Sequence, residues 1–230
     1  MTSYETATFD DIVAERLHAV RERIARAGGS AVAVLPVTKS FGVEACWAAH
    51  RAGCSAVGEN YAQEVVAKLG GQPNSERLPF EVHFIGQLQT NKVRMLAPIV
   101  SLFGSVDRQS QVRELAKRVP GARVHVQVEA PDTKGKAGCP IADVPALIES
   151  ATTAGLHVEG LMALGPTEGG PEAARPLFRA VRALATRLGV ATCSMGMSGD
   201  LEVAVQEGST QVRIGTALFG ERPHPETLVR

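Results

Sequence analysis

Short apolar runs rich in β-branched residues alternate with helix-like segments along almost the entire chain of 230 residues. Eight strand candidates occur, and a segment of helical periodicity lies in every interval between them. Strands separated by helices in this way indicate a parallel sheet with right-handed crossovers. Eight such units in roughly 200–250 residues have the number and size of a closed (β/α)8 barrel. We therefore predict an α/β fold in which residues 1–230 form a single TIM barrel domain.

The limits of the elements follow from the apolar periodicity and from the glycine-rich and polar stretches between them. The predicted strands cover residues 31–37, 55–58, 80–85, 100–104, 122–128, 156–162, 190–194 and 211–214. The predicted helices cover residues 43–52, 60–69, 89–97, 108–118, 140–153, 172–188 and 199–207, with an extra N-terminal helix near residues 9–27. An open doubly wound sheet is the main alternative, but the G-x-G-x-x-G turn that often follows its first strand is missing from this sequence.

The composition argues against several classes of partner. The chain has 24 basic and 24 acidic residues and only 4% aromatic residues, which argues against nucleic acid and anionic membranes. It has no apolar run long enough to span a bilayer and no N-terminal secretion signal, so we expect a cytoplasmic protein. Its four cysteines lack the spacing of disulfide or metal motifs, which predicts reduced thiols and no metal site.

Lys39 stands at the end of the first predicted strand, and the chain turns polar directly after it. Its amine would emerge at the carboxyl end of the barrel, where barrel proteins carry out their chemistry. A partly desolvated amine has a lowered pKa and can attack an aldehyde. The alternative is a lysine that ends a strand and extends toward water, which position alone favours.

Two neighbouring loops have the composition of a phosphate site. Ser198 is placed to cap a helix that is predicted to begin near Gly199, and Gly215 with Thr216 opens a turn after the eighth strand. Main-chain N–H groups and hydroxyls at such turns bind phosphate, and barrels often bind it after strands 7 and 8. An ordinary serine cap and an ordinary glycine turn are the alternative. The occurrence of both in adjacent loops favours phosphate, provided that the nearby Asp200 carboxylate points away from it.

A phosphate site together with a strand-end lysine indicates a phosphorylated aldehyde that is held as a Schiff base. Pyridoxal phosphate is the commonest cofactor of this kind. Arg213 lies on the eighth strand, just before the phosphate loop, where it would face the pyridine nitrogen. There it would disfavour the protonated pyridinium and weaken the electron sink. A salt bridge across the barrel, to a carboxylate such as Glu202, is the alternative for Arg213.

Three other polar residues give weaker signals. Asn60 follows the second strand, where it could bond a ligand or cap the next helix. His83 lies on the third strand, and a histidine there is more often a satisfied interior residue than a catalytic one. Lys136 lies in a glycine-containing loop after the fifth strand and fits a solvated charge.

A set of motifs in fixed order extends from about residue 10 to residue 221. These motifs are AVLPVTK at 33–39, GENYAQE at 58–64, HFIGQLQTNK at 83–92, GLMA at 160–163, SMGMSGD at 194–200 and VRIGTALFG at 212–220. In them the chain resembles the YggS/PROSC group of pyridoxal-phosphate-binding proteins, known as pyridoxal phosphate homeostasis proteins. The resemblance implies a fold like the N-terminal barrel of bacterial alanine racemase.

The resemblance also implies that pyridoxal 5'-phosphate is bound as an internal aldimine on Lys39. Ser198, Gly215 and Thr216 would then hold the phosphate. The residues that it assigns to the cofactor site are Lys39, Asn60, Met197, Ser198, Arg213, Gly215 and Thr216.

Within that set, Arg213 would face the ring nitrogen and Asn60 would lie beside the cofactor. Lys136 matches the lysine of a Lys-x-Gly loop that assists cofactor transfer in the family. Two departures are visible. Many members have Thr-Lys-Pro after the Schiff-base lysine, whereas this chain has residues 40–42 as Ser-Phe-Gly, and it carries an extra Lys-Gly pair directly before Lys136.

Two functions fit these features best. One is a carrier that takes part in intracellular homeostasis of pyridoxal phosphate, acts as a monomer without substantial turnover, and passes the cofactor to apo-enzymes. The other is an amino-acid racemase, which needs a second acid/base on the opposite face of the cofactor. Alanine racemases take a tyrosine for this from a further domain, and the chain ends ten residues after Gly220. We therefore expect a carrier, although Tyr61 stays a candidate base. A barrel enzyme that uses Lys39 on a phosphorylated sugar is a third possibility.

Overall fold

A computed structural model describes residues 7–29, 31–71, 78–130 and 137–221 of the chain. Eight parallel strands lie in the order β1-β8-β7-β6-β5-β4-β3-β2, and a parallel bridge between Val37 and Gly58 joins the two outer members, β1 and β2. The strands therefore form a (β/α)8 barrel, as the alternation of elements predicts. They are β1 Ala33–Pro36, β2 Ala56–Glu59, β3 Glu81–Phe84, β4 Leu102–Val106, β5 Arg123–Val128, β6 His157–Ala163, β7 Thr192–Ser194 and β8 Gln211–Ile214.

Helices cover the outside of the barrel between successive strands. They are α1 Phe9–Arg26, α2 Val43–Arg51, α3 Ala62–Leu69, α4 Val93–Leu96, α5 Gln109–Arg118, α6 Val144–Thr153, α7 Arg175–Leu188, α8 Leu201–Gln206 and α9 Thr216–Phe219. Two short 3-10 helices, Thr90–Lys92 and Pro171–Ala174, come directly before α4 and α7.

Several predicted helices begin later or are shorter than their periodicity indicates, and prolines lie near the observed limits of three of them. The helix predicted at 89–97 divides into a 3-10 turn and the four residues of α4, and Pro98 follows two residues after its end. The helix predicted at 140–153 begins at Val144, with a proline in its first turn. The helix predicted at 172–188 becomes regular at Arg175, again with a proline in the first turn. Proline fits the first turn of a helix, where its missing N–H costs no intrahelical hydrogen bond, and this explains where α6 and α7 begin.

The extra N-terminal helix, α1, is an integral part of the barrel. Thr8 and Asp11 form a reciprocal capping box at its start, which satisfies main-chain N–H groups that the helix leaves open. One face of α1 is buried through Val13, Leu17, Val20 and Ile24. This spacing of three or four residues is the period of a helix whose apolar stripe packs on a core. The core thereby extends from α1 through the barrel wall to the outer helices.

The amino end of the barrel is closed by an ion-pair network. Arg123 on β5 lies 2.7 Å from Glu81 on β3 and 2.6 Å from Glu159 on β6. His83 extends this network, with its Nε2 3.0 Å from Glu81, while burial lowers the pKa of its ring. The interior position predicted for His83 is found, but the ring is only partly satisfied, because its Nδ1 is buried without a hydrogen-bond partner.

Three further features concern the cysteines, metal binding and membrane-spanning helices. All four cysteines are buried and free. In the described ranges no three side chains of histidine, cysteine, aspartate or glutamate come together in a way that suits a metal ion. Among those same residues, none of the helices has both the length and the apolar character needed to cross a membrane.

Candidate functional site

A cavity of about 560 Å³ opens at the carboxyl end of the barrel strands. This volume is within the range of about 300–1,000 Å³ that is usual for small-molecule sites. The residues predicted for the cofactor site all lie in its lining: Lys39, Asn60, Met197, Ser198, Arg213, Gly215 and Thr216. They come from the connections after β1, β2 and β7, from β8 itself and from the turn after β8. These segments meet because parallel strands direct their carboxyl ends toward the same face of the barrel.

Lys39 enters the cavity from the connection after β1. The strand runs on past Pro36 through the Val37 bridge, and the Thr38 N–H donates to the Gly58 carbonyl at 3.0 Å. Thr38 is fully buried, whereas Lys39 is half-buried and lines the cavity. The next residue, Ser40, has a φ of 65°, so the main chain turns sharply directly after the lysine.

The two loops predicted to bind phosphate form one side of the cavity, but the helix start is different from the predicted one. The prediction that Ser198 caps a helix from Gly199 is wrong: α8 begins at Leu201, and Asp200 occupies the N-cap position without a side-chain bond to the helix. Asp200 Oδ1 instead accepts the Met197 N–H at 2.6 Å. This bond closes a turn over residues 197–200, which delays the helix and leaves Ser198 and Gly199 in the cavity lining.

Two arginines of α1 hold these loops from behind. Arg23 donates to the Ser198 carbonyl at 3.1 Å and forms an ion pair of 2.7 Å with Glu202 on α8. Arg16 donates to the Leu218 carbonyl of α9 at 3.1 Å. The extra helix therefore fixes both loops through main-chain carbonyls. The sequence does not predict these contacts, because both arginines lie among other charged residues of an amphipathic helix.

Arg213 lies inside the barrel beneath the cavity. One guanidinium nitrogen donates to the Ser194 carbonyl and, at 3.0 Å, to the Ser194 hydroxyl; the other donates to the Ala163 carbonyl at 2.7 Å. The alternative of a salt bridge to Glu202 is wrong, since that carboxylate pairs with Arg23. Burial lowers the pKa of Arg213 to about 10, an effect that the charge of Asp200 partly opposes. Arg213 is therefore a cation at neutral pH, held by neutral acceptors.

Asn60 follows β2 and has a polar atom that the protein leaves without a partner. The alternative role of a helix cap is wrong, because Tyr61 occupies the N-cap position of α3 and makes no side-chain cap bond. The side-chain Oδ1 of Asn60 is buried and has no hydrogen-bond partner. Gly86 packs against the Asn60 main chain so closely that a Cβ there would lie 1.9 Å from the Asn60 carbonyl oxygen. Asn60 is thus held in place with an unused acceptor at the cavity.

The cavity wall contains residues that the sequence motifs do not single out. Phe41 lines the rim and packs against Phe219 at a ring-centroid distance of 5.3 Å. Gln127 lines the opposite wall and donates to the Ala137 carbonyl at 3.2 Å. A polar residue at every second position of β5, in the run RVHVQV, is the signal that could have identified Gln127, since alternate strand residues face the interior.

Two candidate residues lie elsewhere. Tyr61 is half-exposed and is not among the described residues that line the cavity. Lys136 lies outside the described residues. Among the lining residues that the structure describes, none is a histidine, tyrosine, cysteine, aspartate or glutamate. The described lining of the cavity thus combines one amine, one buried guanidinium, hydroxyls and amides. This donor set fits a ligand with a phosphate and a carbonyl group.

Comparison with known sequences identifies close relatives. The family model of the alanine racemase N-terminal domain matches residues 12–223. A pyridoxal phosphate homeostasis protein of Pseudomonas aeruginosa is 39% identical over 92% of this chain and 96% of its own. Proteins of the same name from Aquifex aeolicus and Escherichia coli K12 are 37% and 35% identical, over 91% and 92% of this chain.

Solved structures show the same barrel. PipY of Synechococcus elongatus with pyridoxal phosphate bound has a TM-score of 0.76 and 29% identity, over 90% of this chain and 100% of its own. A lysine decarboxylase from Selenomonas ruminantium has a TM-score of 0.68 at 18% identity, over 91% of this chain and 61% of its own, which is a likeness of fold alone. The expected barrel of the alanine racemase type is confirmed. By sequence and by fold, the chain belongs to the family of pyridoxal phosphate homeostasis proteins.

Proposed function

We propose that this protein holds pyridoxal 5'-phosphate as a Schiff base on Lys39 and takes part in intracellular homeostasis of the cofactor without substantial catalytic turnover. The observation that carries the proposal is that Lys39 shares one cavity with two loops suited to phosphate, residues 197–199 and 215–216. Relatives named for pyridoxal phosphate homeostasis, and a PipY structure that contains pyridoxal phosphate, support the choice of cofactor.

Lys39 supplies the covalent bond. Its amine would hold the aldehyde group of bound pyridoxal phosphate, with a C=N bond in place of the C=O bond and the oxygen released as water that carries the two amine protons. The reaction needs no oxidant and is reversible, so a second amine or water can release the cofactor. The half-buried position of Lys39 between the turn at Ser40 and the cavity suits such an exchange.

The loops after β7 and β8 supply the phosphate site. Ser198 and Thr216 bring hydroxyl donors to the same side of the cavity, and Gly215 allows the main chain to approach a ligand closely. Asp200 is already an acceptor for the Met197 N–H, which directs one carboxylate oxygen into its own turn. Hydrogen bonds to a charged phosphate are about twice as strong as neutral ones. We therefore assign cofactor retention mainly to these loops.

The position of Arg213 and the composition of the cavity wall favour a protein that holds the cofactor over an enzyme that uses it to turn over a substrate. When bound, pyridoxal phosphate supplies an electron sink whose strength depends on protonation of the ring nitrogen. A buried arginine cation that is bonded to neutral acceptors disfavours that protonation. A racemase also needs an acid/base on each face of the substrate carbon, and the described lining residues provide Lys39 alone as such a group. The racemase alternative has less support.

The remaining parts of the proposal concern the oligomeric state, the partners and the cellular compartment of the protein. We expect the 230-residue chain to act as one domain and as a monomer, with apo-enzymes as the acceptors of the cofactor. The buried free thiols Cys46, Cys54, Cys139 and Cys193 fit a reducing compartment, and we place the protein in the cytoplasm.

The first prediction concerns the covalent bond. Adding pyridoxal phosphate to the purified protein should give the yellow absorbance of a Schiff base, which borohydride abolishes. Peptide mapping should then find the reduced adduct on Lys39, and Lys39→Ala should give neither signal. An adduct confined to another lysine would refute the assignment. Absence of any yellow species would favour the barrel enzyme that acts on a phosphorylated sugar.

The second prediction concerns the phosphate loops. Ser198→Ala and Thr216→Val should each weaken cofactor retention by about 1.5–3 kcal/mol, because each removes a hydrogen bond to a charged group. Dissociation constants from absorbance titration measure this, with the exposed Thr153→Val on α6 as a matched control. Pyridoxal, which lacks the phosphate, should bind all these proteins equally. Equal losses for pyridoxal and pyridoxal phosphate would place the phosphate elsewhere.

The third prediction concerns Asn60, whose buried Oδ1 has no partner in the protein itself. Asn60→Ala should leave the free energy of unfolding of the apo-protein unchanged or raise it by about 1 kcal/mol, since a buried unsatisfied group is removed. The same change should weaken cofactor binding about tenfold, or 1.4 kcal/mol. Denaturant unfolding and cofactor titration measure the two effects, with the exposed Asn91→Ala as a control. Destabilised apo-protein with unchanged affinity would contradict the assignment.

The fourth prediction separates a carrier from a racemase. Loaded protein is incubated with L-amino acids in deuterated water, and α-proton exchange, D-enantiomer formation and transfer of cofactor to an apo-enzyme are followed in parallel. Transfer should proceed while racemisation stays far below ordinary enzymatic turnover of about 1–10³ s⁻¹. Racemisation within that range would establish the enzyme instead.

A further inference from the structure

A group of charged side chains lies behind the strand end that carries Lys39. Glu59 ends β2, and Glu64 and Lys68 lie four residues apart on α3. The Lys68 Nζ is 3.0 Å from Glu59 Oε1 and 3.3 Å from Glu64 Oε2. Glu59 is fully buried, and the Lys68 side chain is 10% exposed. We call these three residues the buried charge cluster after Glu59, although the Glu64 side chain is 33% exposed. Burying a charge such as that of Glu59 is seldom the most stable solution for a core.

The buried charge cluster is bonded to the main chain on both sides of Lys39. On the N-terminal side, Lys68 Nζ donates to the Thr38 carbonyl at 2.9 Å, and the Thr38 hydroxyl donates to Glu59 at 2.7 Å. On the C-terminal side, the Ser40 N–H donates to Glu64 Oε2 at 2.9 Å. The residues before and after Lys39 are therefore held by the same three side chains.

The bond to Ser40 supports an unusual conformation. Ser40 has a φ of 65°, and among the described residues it has the one positive φ that does not belong to a glycine. L-residues avoid this region because Cβ approaches the following carbonyl oxygen, and a strained residue persists where its surroundings fix it. Because Ser40 directly follows Lys39, the conformation of Ser40 sets the direction in which the chain leaves the lysine.

We propose that Glu59, Glu64 and Lys68 position Lys39 for reaction with the cofactor aldehyde by fixing the main chain on both of its sides. This inference rests on the proposed function of Lys39. The three residues act through Thr38 and Ser40. Glu59, Glu64 and Lys68 are not among the described residues that line the cavity.

The same arrangement distinguishes two lysines that lie near each other. Lys68 faces three oxygen acceptors, from Thr38, Glu59 and Glu64, and this suits an ammonium group with three N–H donors and no lone pair. An amine in that form does not attack an aldehyde. Lys68 is thus withheld from the cofactor while it helps to hold the chain that carries Lys39.

The test is a double-mutant cycle between residues 64 and 40. Glu64→Ala removes the acceptor of the Ser40 N–H, and Ser40→Gly removes the steric objection to a positive φ. The rate of Schiff-base formation is measured by absorbance after apo-protein is mixed with pyridoxal phosphate. Glu64→Ala should slow it about tenfold, and the double variant should recover most of the parental rate. If Glu64→Ala slowed the reaction by destabilising the whole fold, Ser40→Gly would not restore the rate.

Two further variants keep the test decisive. Glu64→Gln keeps an oxygen that can accept the Ser40 N–H, so this variant should form the Schiff base within about threefold of the parental rate. This result can be measured even when Glu64→Ala folds poorly. Glu114→Ala removes a surface ion pair with Arg118 on α5 and should match the parent. Parental rates in Glu64→Ala, or no recovery in the double variant, would refute the positioning role. A parent protein without any adduct on Lys39 would refute the proposed function itself.

Discussion

The ion pair between Glu59 and Lys68 spans the place where the barrel closes. β1 and β2 meet through one isolated bridge, Val37 with Gly58, and the side-chain bonds of Thr38 and Lys68 reinforce that contact. Burial raises the pKa of Glu59, and the charge of Lys68 and the hydrogen bond from Thr38 oppose that rise. β1 and β2 thus share few main-chain contacts, and side-chain bonds to Glu59 and from Lys68 tie them together at the strand end from which Lys39 projects.

The part of the cavity that the loops after β7 and β8 form is organised differently. The loops after β7 and β8 have short helices behind them, six residues in α8 and four in α9, so these helices offer little rigidity of their own. Their fixed points are the turn that Asp200 closes and the arginines of α1 that bond to the carbonyls of Ser198 and Leu218. The β1–β2 side of the site is thus set by charges that lie between the barrel wall and α3, and the β7–β8 side by α1.

The sequence predicts the architecture well because burial on both faces leaves β-branched runs, and because helices with one apolar stripe separate them. It also brings the seven candidate site residues to one face, since the ends of parallel strands converge. It fails where a single side chain competes with the helix, as Asp200 does, and where partners lie far apart, as with Arg213 and Glu202. The bond that the Ser40 N–H donates to Glu64 spans 24 residues, and local periodicity does not predict it.

The bracing of the phosphate loops by α1 has a consequence for the order in which the protein is made. Arg16 and Leu218 are separated by 202 residues, and Arg23 and Ser198 by 175. Contacts of such sequence separation form late, when the C-terminal strands are available to pack. Lys39 leaves the ribosome early, but the walls that would retain a phosphate are completed near the end of synthesis. A nascent chain therefore has the amine that we propose to react long before it has the loops that we propose to retain the cofactor.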